Sequence, residues 1–83
     1  MNKILVEIYV PSLMKTFEVY IPRHSKVFEV MQLLESAVVE LSDKTFKPGP
    51  NVLLCDRNSG MIYNINLTVE QIGLKNGSQL LLV

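Results

Sequence analysis

The longest periodic stretch of the chain, residues 26–41, predicts one amphipathic helix. At about 100° per residue, its apolar positions fall in a stripe wide enough to bury one side of a helix. The stripe consists of Val27, Val30, Met31, Leu34, Val38 and Leu41. The opposite side carries Glu29, Gln32, Ser36 and Glu40. Ser25 is the predicted N-cap, because it directly precedes the periodic run and its hydroxyl can accept a hydrogen bond from the first turn.

Two alternating runs before this helix predict an antiparallel hairpin. Lys3 to Val10 and Thr16 to Ile21 each alternate apolar with other residues, as half-buried strands do. The inward-facing residues are Ile4, Val6, Ile8 and Val10 in the first run and Phe17, Val19 and Ile21 in the second. The connection is short enough for a hairpin, and it places Leu13 and Met14 at the tip. Pro22 then ends the second strand.

The second half of the chain predicts short strands joined by turns. Residues 42–50 form a loop, because Pro48 and Pro50 lack the amide hydrogen that a helix needs. A smaller hairpin follows, with strands at 51–56 and 61–64. Residues 67–74 predict one tight turn capped by Thr68 and ended by Gly73. Residues 79–83 are a final apolar strand, which we place centrally and parallel to the first strand.

These elements predict an α+β fold in which a mixed sheet of four to five strands carries one helix across one face. With 83 residues, the chain is long enough for one domain, residues 1–83, with a single core. The hydrophobic fraction of 48% argues against disorder. Eight basic residues balance eight acidic ones without a basic cluster, so we expect no nucleic-acid partner.

The sequence offers little catalytic or metal-binding chemistry. His24 is the only histidine and has no neighbouring carboxylate or thiol in sequence, so we expect an exposed loop residue. Cys55 is the only cysteine and lies in an apolar run, which favours a buried structural thiol. The carboxylates Glu29, Glu35 and Glu40 fit a solvated helix face rather than paired acids. We therefore predict a chain that is not an enzyme and that uses neither a cofactor nor a metal.

Membrane insertion is not expected either. No stretch approaches the ~18 apolar residues of a membrane span, and the first ten residues alternate rather than forming the core of a signal peptide. The expected location is cytoplasmic.

The element order and the closing stretch 67–83 resemble the ubiquitin-like β-grasp superfamily. Within it, the turns at Ser59-Gly60 and Asn76-Gly77, together with Leu67 and Gly73-Leu74, are most similar to the small YukD/EsaB proteins. These bacterial proteins accompany type VII (WXG-type) secretion systems. The resemblance implies a non-catalytic interaction module, a cytosolic accessory or regulatory component of such a system. Its implied partner is a protein, either a membrane component or an ATPase of the secretion machine.

An alternative within the superfamily is a ubiquitin-like modifier or a sulfur carrier. Those proteins need a flexible C-terminal tail that ends in Gly-Gly, so that the terminal carboxylate can be activated. The present sequence closes with an apolar strand, Leu80-Leu81-Leu82-Val83. We therefore expect these residues to be locked into the sheet, and we disfavour conjugation.

Apolar residues in outward positions predict a partner-binding surface. Alternation sends Leu5, Tyr9 and Tyr20 to the outer sheet face, together with Leu81 and Val83 of the last strand. Leu13 and Met14 add apolar side chains at the hairpin tip, where we expect exposure. Exposed patches of this kind mark docking sites, and ubiquitin-like domains commonly bind partners through this face. Self-association as a homo-oligomer and incidental exposure are the alternatives.

Two further apolar residues, Phe28 and Val39, fall outside the buried helix stripe. We expect them to pack with Phe46 in a small cluster under the 42–50 loop. The alternative is a binding site on the helix side of the domain.

Overall fold

The structure is a computed structural model that describes residues 2–83. The elements are β1 (Lys3–Val10), β2 (Lys15–Pro22), α1 (Val27–Leu41), β3 (Leu54–Asp56) and β4 (Gln79–Leu82). They form a four-stranded mixed sheet in the order β2-β1-β4-β3, and α1 contributes its apolar side to the same core as the inner sheet face. The predicted α+β fold is confirmed.

The hairpin of β1 and β2 follows the predicted alternation. Its antiparallel register runs from Lys3 opposite Pro22 to Val10 opposite Lys15. The inward residues of β1 are all buried, namely Ile4, Val6, Ile8 and Val10. The connecting loop folds back through a hydrogen bond in which the Leu13 amide donates to the Val10 carbonyl at 3.0 Å.

The last strand occupies the predicted central place. β4 lies between β1 and β3 and pairs with β1 in parallel, with Leu80 opposite Ile8. The Asn76-Gly77 turn fixes where β4 starts: the Gly77 amide donates to the Leu5 carbonyl, and the Leu5 amide donates to Asn76 Oδ1, both at 2.8 Å. Gly77 has a φ of +87°, a conformation that side chains disfavour. The expected locking of residues 80–83 is confirmed: Leu80 and Leu82 are buried, and Val83 exchanges two backbone hydrogen bonds with Leu53.

The helix begins one residue later than predicted. Lys26 is the N-cap residue, and its amide donates to a carboxylate oxygen of Glu29 at 3.0 Å. The prediction of Ser25 as N-cap is wrong, because Ser25 lies outside the helix and its carbonyl accepts the Val69 amide at 3.0 Å. Next to it, an isolated antiparallel β-bridge pairs the backbone of Lys26 with that of Thr68. The position of the helix start is therefore set by a long-range contact with the 67–74 turn.

Most of the predicted helix stripe faces the core. Its fully buried residues are Val27, Val30, Leu34 and Val38, and Met31 packs against the same core while partly exposed. Leu41 is exposed, contrary to the prediction. The chain folds back just after it, where the Phe46 amide donates to Ser42 Oγ at 3.1 Å. Phe46 is thereby buried in the core, while Leu41 is left in solvent.

The second hairpin is shorter than the predicted strands 51–56 and 61–64. Regular strand structure covers only Leu54–Asp56, and the return segment makes a single bridge, Cys55 to Ile62. The chain then leaves the sheet because the Asn64 side chain accepts the Asn66 amide and forms a new turn. The predicted turn at 67–74 is confirmed: Thr68 and Gln71 each accept the other's amide through a side-chain oxygen.

The predicted cluster of Phe28, Val39 and Phe46 is only partly formed. Phe46 is buried, and Val39 packs against the core. Phe28 instead has 40% of its surface exposed and lies beside residues 50–54 and 62–65. The prediction is therefore wrong for Phe28: of the 42–50 loop, only Pro50 lines the same depression, and Phe28 stays partly in solvent while Phe46 is buried.

We expect Leu34→Ala to lower the free energy of unfolding by about 2–5 kcal/mol, because truncation of a fully buried leucine loses apolar contacts and leaves a cavity. Leu33→Ala is the matched control: Leu33 is the adjacent residue of the same helix but is exposed, and its truncation is expected to cost less than about 1 kcal/mol. Urea unfolding followed by circular dichroism measures both. Equal losses for the two variants would contradict the assigned orientation of α1.

Candidate interaction surface

The registers of the sheet arrange the outer face, opposite α1, in rows that cross the strands. One row pairs Leu5 with Tyr20. The next contains Glu7 opposite both Glu18 and Gln79. Since directly opposed residues share a face, these side chains form a polar band across the sheet.

The following row is apolar. Tyr9 lies opposite Leu81, and Leu81 lies opposite Cys55 on its other side. Cys55 in turn bridges Ile62. Beyond this row, Val83 and Leu53 are paired by two hydrogen bonds, of 2.7 and 3.0 Å. We call this set the Tyr9 patch; it consists of Tyr9, Leu53, Cys55, Ile62, Leu81 and Val83.

The predicted partner-binding residues therefore divide into separate groups. Tyr9, Leu81 and Val83 are brought together in the Tyr9 patch. Leu5 and Tyr20 lie on the far side of the polar band. Leu5 is four residues from Tyr9 along β1, which corresponds to about 13 Å. Leu5 and Tyr20 form a pair of their own and do not extend the patch.

The two residues at the hairpin tip differ from each other. Leu13 is half-buried and packs against the hydrophobic core, so its expected exposure is wrong. Met14 is 80% exposed, and its φ of 53° is unusual for a residue other than glycine. Only Met14 is thus available to solvent at the tip.

Sequence reasoning missed three members of the patch: Leu53, Cys55 and Ile62. Cys55 was correctly expected to be buried, yet its pairing places it on the outer side of the sheet among the patch residues. Leu53 and Ile62 are exposed. Both lie in short continuous apolar runs, which do not show which residues face outward, so the register that joins them to Leu81 and Val83 was needed to find them.

Arg57 borders the Tyr9 patch. Its guanidinium carbon lies 4.6 Å from the centre of the Tyr9 ring, a cation–π distance. The Arg57 amide donates to the Gln79 carbonyl at 3.1 Å, which fixes the backbone of this residue at the polar band. The arginine adds a positive charge at the edge of an otherwise uncharged patch.

The turn that presents Arg57 is held by Asp56 and Ser59. The Ser59 hydroxyl donates to Asp56 Oδ2 at 2.7 Å, and the Ser59 amide donates to the same oxygen at 3.1 Å. These bonds, led by the hydroxyl, lower the pKa of Asp56 below its ordinary value of 3.8. The Gly60 amide closes the turn on the Asp56 carbonyl at 2.8 Å, with Gly60 at a φ of +76°.

A second apolar depression lies on the helix side of β3. This helix-side groove has a volume of about 300 Å³ and lies between α1 and residues 50–65. Its apolar lining includes Phe28, Met31, Val52, Leu54, Tyr63 and Ile65. Burial of the Tyr63 ring, followed by the charge of Asp56, raises the pKa of the Tyr63 hydroxyl. The sequence pointed to a helix-side site only as the alternative for Phe28.

The polar side chains near His24 form an exposed surface cluster. Nδ1 of His24 lies 3.0 Å from Oε2 of Glu70, and the Arg23 guanidinium lies 3.9 Å from Oε1. Within residues 2–83, no group of three or more histidine, cysteine or acidic side chains is placed to hold a metal ion. Over the same residues, no helix combines the length and apolar character that crossing a bilayer requires.

No protein-family model matches the chain, and no curated protein matches it. Solved structures do match. The ubiquitin-like domain of the Mycobacterium tuberculosis type VII secretion system protein ECCD1 is 15% identical, with a TM-score of 0.78 over 100% of this chain and 99% of that chain. The ubiquitin-like domain of EccD5 from Mycobacterium xenopi is 16% identical, with a TM-score of 0.72 over 100% of this chain and 94% of that chain.

A chain of the toluene 4-monooxygenase HD complex, solved with the inhibitor 4-bromobenzoate, is also similar. It is 11% identical, with a TM-score of 0.79 over 98% of this chain and 96% of that chain. Identities this low show the fold alone. The predicted ubiquitin-like β-grasp fold is confirmed, and its structural neighbours include domains of type VII secretion components.

We expect Ser59→Ala to raise the pKa of Asp56 towards 3.8, because the variant loses the hydroxyl donor that most stabilises the carboxylate. A lowered folded-state pKa stabilises the fold at pH values above the unfolded pKa, and this contribution is lost as the pH falls through the folded-state value. Titration of the Asp56 carboxyl carbon by NMR measures the shift. Ser12→Ala, at an exposed loop position, is the control; an unchanged Asp56 pKa in Ser59→Ala would contradict the assignment.

Proposed function

We propose that this chain is a non-catalytic protein-interaction module and a cytosolic accessory or regulatory component of a type VII secretion system, similar to the YukD/EsaB proteins. The observation that carries the proposal is the Tyr9 patch, a set of apolar side chains that the strand register places in adjacent rows on the outer face of the sheet. Val83 and Ile62 are 49% and 57% exposed there, which leaves hydrophobic area for a partner to cover. The fold that it shares with the ECCD1 and EccD5 domains supports the secretion context.

The composition of the patch suits a protein partner. Tyr9 contributes a large, rigid ring with a polar end, and Arg57 stacks on it; both residue types are enriched where interfaces are strongest. The polar band at Glu7 and Glu18 borders the patch on one side and would lie at the rim of the interface. The proposed partner is a membrane component or the ATPase of the secretion machine, and a second copy of this chain is the alternative.

A second candidate is a small subunit of an oxygenase complex. It is favoured by the similarity, over 96% of its length, of a chain in the toluene 4-monooxygenase HD complex. Docking through the sheet would serve either role, so the identity of the captured protein distinguishes them.

We expect Tyr9→Asp and Leu81→Asp to abolish capture of the partner by the tagged chain in its native bacterium, because each replaces an apolar side chain of the patch by a carboxylate that the partner would have to desolvate. Tyr20→Asp is the matched control, since Tyr20 is an exposed tyrosine of the same sheet face but lies beyond the polar band. It should retain capture. Affinity purification followed by mass spectrometry, with a thermal melt of each variant to establish folding, measures the outcome.

Recovery of secretion-system proteins by the wild type and by Tyr20→Asp, but not by the two patch variants, supports the proposal. Recovery of oxygenase subunits in the same pattern favours the second candidate. Capture that survives in folded Tyr9→Asp and Leu81→Asp shows that the patch is not the docking surface.

A further inference from the structure

The helix-side groove is apolar at its base and open to solvent at its walls. Phe28 and Ile65, which line it, are 40% and 46% exposed, whereas Leu54 is buried. Sites for small molecules usually enclose most of the ligand surface. A shallow groove of about 300 Å³ instead suits one or two large side chains whose own backbone stays in solvent.

A single carboxylate, that of Glu35, lies at the groove. α1 carries Glu29, Glu35 and Glu40 and contains no lysine or arginine. Glu35 is the only charged residue that lines the groove. Throughout residues 2–83, the only carboxylate found within 4 Å of a basic side chain is that of Glu70, which lies elsewhere on the surface. The Glu35 carboxylate at the groove therefore has no basic side chain within ion-pair distance among residues 2–83.

We propose that the helix-side groove is a second docking site, which binds a polypeptide segment that inserts two large apolar side chains beside Phe28 and Met31 and places a lysine or arginine near Glu35. The apolar lining supplies affinity through buried area, and the Glu35 carboxylate favours a positively charged segment. The groove approaches the Tyr9 patch at the β3 edge, where Leu53 and Ile62 also line it. Phe28, Met31 and Glu35 belong to α1 and have no part in the outer sheet face.

A second copy of this chain offers similar chemistry. Met14 is exposed at the hairpin tip and is followed by Lys15, so the tip of one copy could enter the groove of another. Such a contact joins two different surfaces, and it would build an open chain of subunits unless the rotation closed a ring. We assign the groove to a foreign segment because the tip presents only one apolar side chain, Leu13 being packed against its own core.

The test uses two matched tetrapeptides, acetylated and amidated, with the sequences lysine-phenylalanine-leucine-lysine and glutamate-phenylalanine-leucine-glutamate. Each is titrated into the ¹⁵N-labelled chain at low ionic strength. We expect amide shifts confined to the surroundings of Phe28, Met31, Val52 and Ile65. The lysine peptide should bind about fivefold more tightly, as expected for weak exposed ion pairs. The difference should shrink in about 0.5 M salt, where the Debye screening length falls to about 4 Å.

Three variants locate the interaction. Phe28→Ser should weaken both peptides at least about fivefold, because a large part of the apolar lining is removed. Glu35→Gln should reduce the preference for the lysine peptide about twofold or more, whereas Glu40→Gln, on the same helix but away from the groove, should leave it unchanged. Leu81→Asp, if folded, should bind the lysine peptide as the wild type does, which separates this site from the Tyr9 patch.

Equal affinity for the two peptides, or shifts centred on Tyr9 and Leu81, would overturn the proposal. A second result would also overturn it. If concentrating the free chain produced the same amide shifts at the groove, and Met14→Ser abolished them, the occupant would be a second copy of this chain. Sedimentation velocity of the wild type and Met14→Ser provides that comparison.

Discussion

The parallel pairing of β1 with β4 is the constraint on which the rest of this domain depends. Two parallel strands cannot be joined by a tight turn, so the chain between them must cross from one end of the sheet to the other. Ile8 and Leu80 lie opposite each other at this pairing and are fully buried. Their inner face needs an apolar cover, which α1 supplies through Val30 and Leu34.

The same pairing decides what the outer face can do. Because β4 is held between β1 and β3, its outward residues fall into rows with those of both neighbours. Glu7 and Glu18 are directly opposed, an arrangement that like charges tolerate only where water can solvate them. The outer face is consequently divided into two apolar regions, and the larger one lies towards β3 and the end of β4.

The short β3 places two different apolar surfaces at one edge of the sheet. After Asp56 the chain makes a tight turn, returns for one bridge at Ile62, and leaves the sheet at Asn64. The departing segment carries Tyr63 and Ile65 towards the helix, where they line the groove with Phe28. The two proposed docking surfaces therefore meet at the β3 edge, one on the sheet and one on the helix side.

The sequence by itself determined the fold, the first hairpin, the helix and the last strand, whereas the second hairpin formed only Leu54–Asp56 and one bridge. Apolar residues mark the buried side of an element, because the hydrophobic effect favours their removal from water. This pattern is visible in the alternation of residues 3–10, in the helical stripe of residues 26–41 and in the apolar final strand. The tertiary structure alone decided the register. It placed Tyr9 in one patch with Leu81 and Ile62, and it placed Tyr20 outside that patch. It also showed that Leu13 packs against the core and that Phe28 lines the helix-side groove. Local patterns cannot encode these relations, because each depends on which distant residues lie opposite one another once the strands have paired.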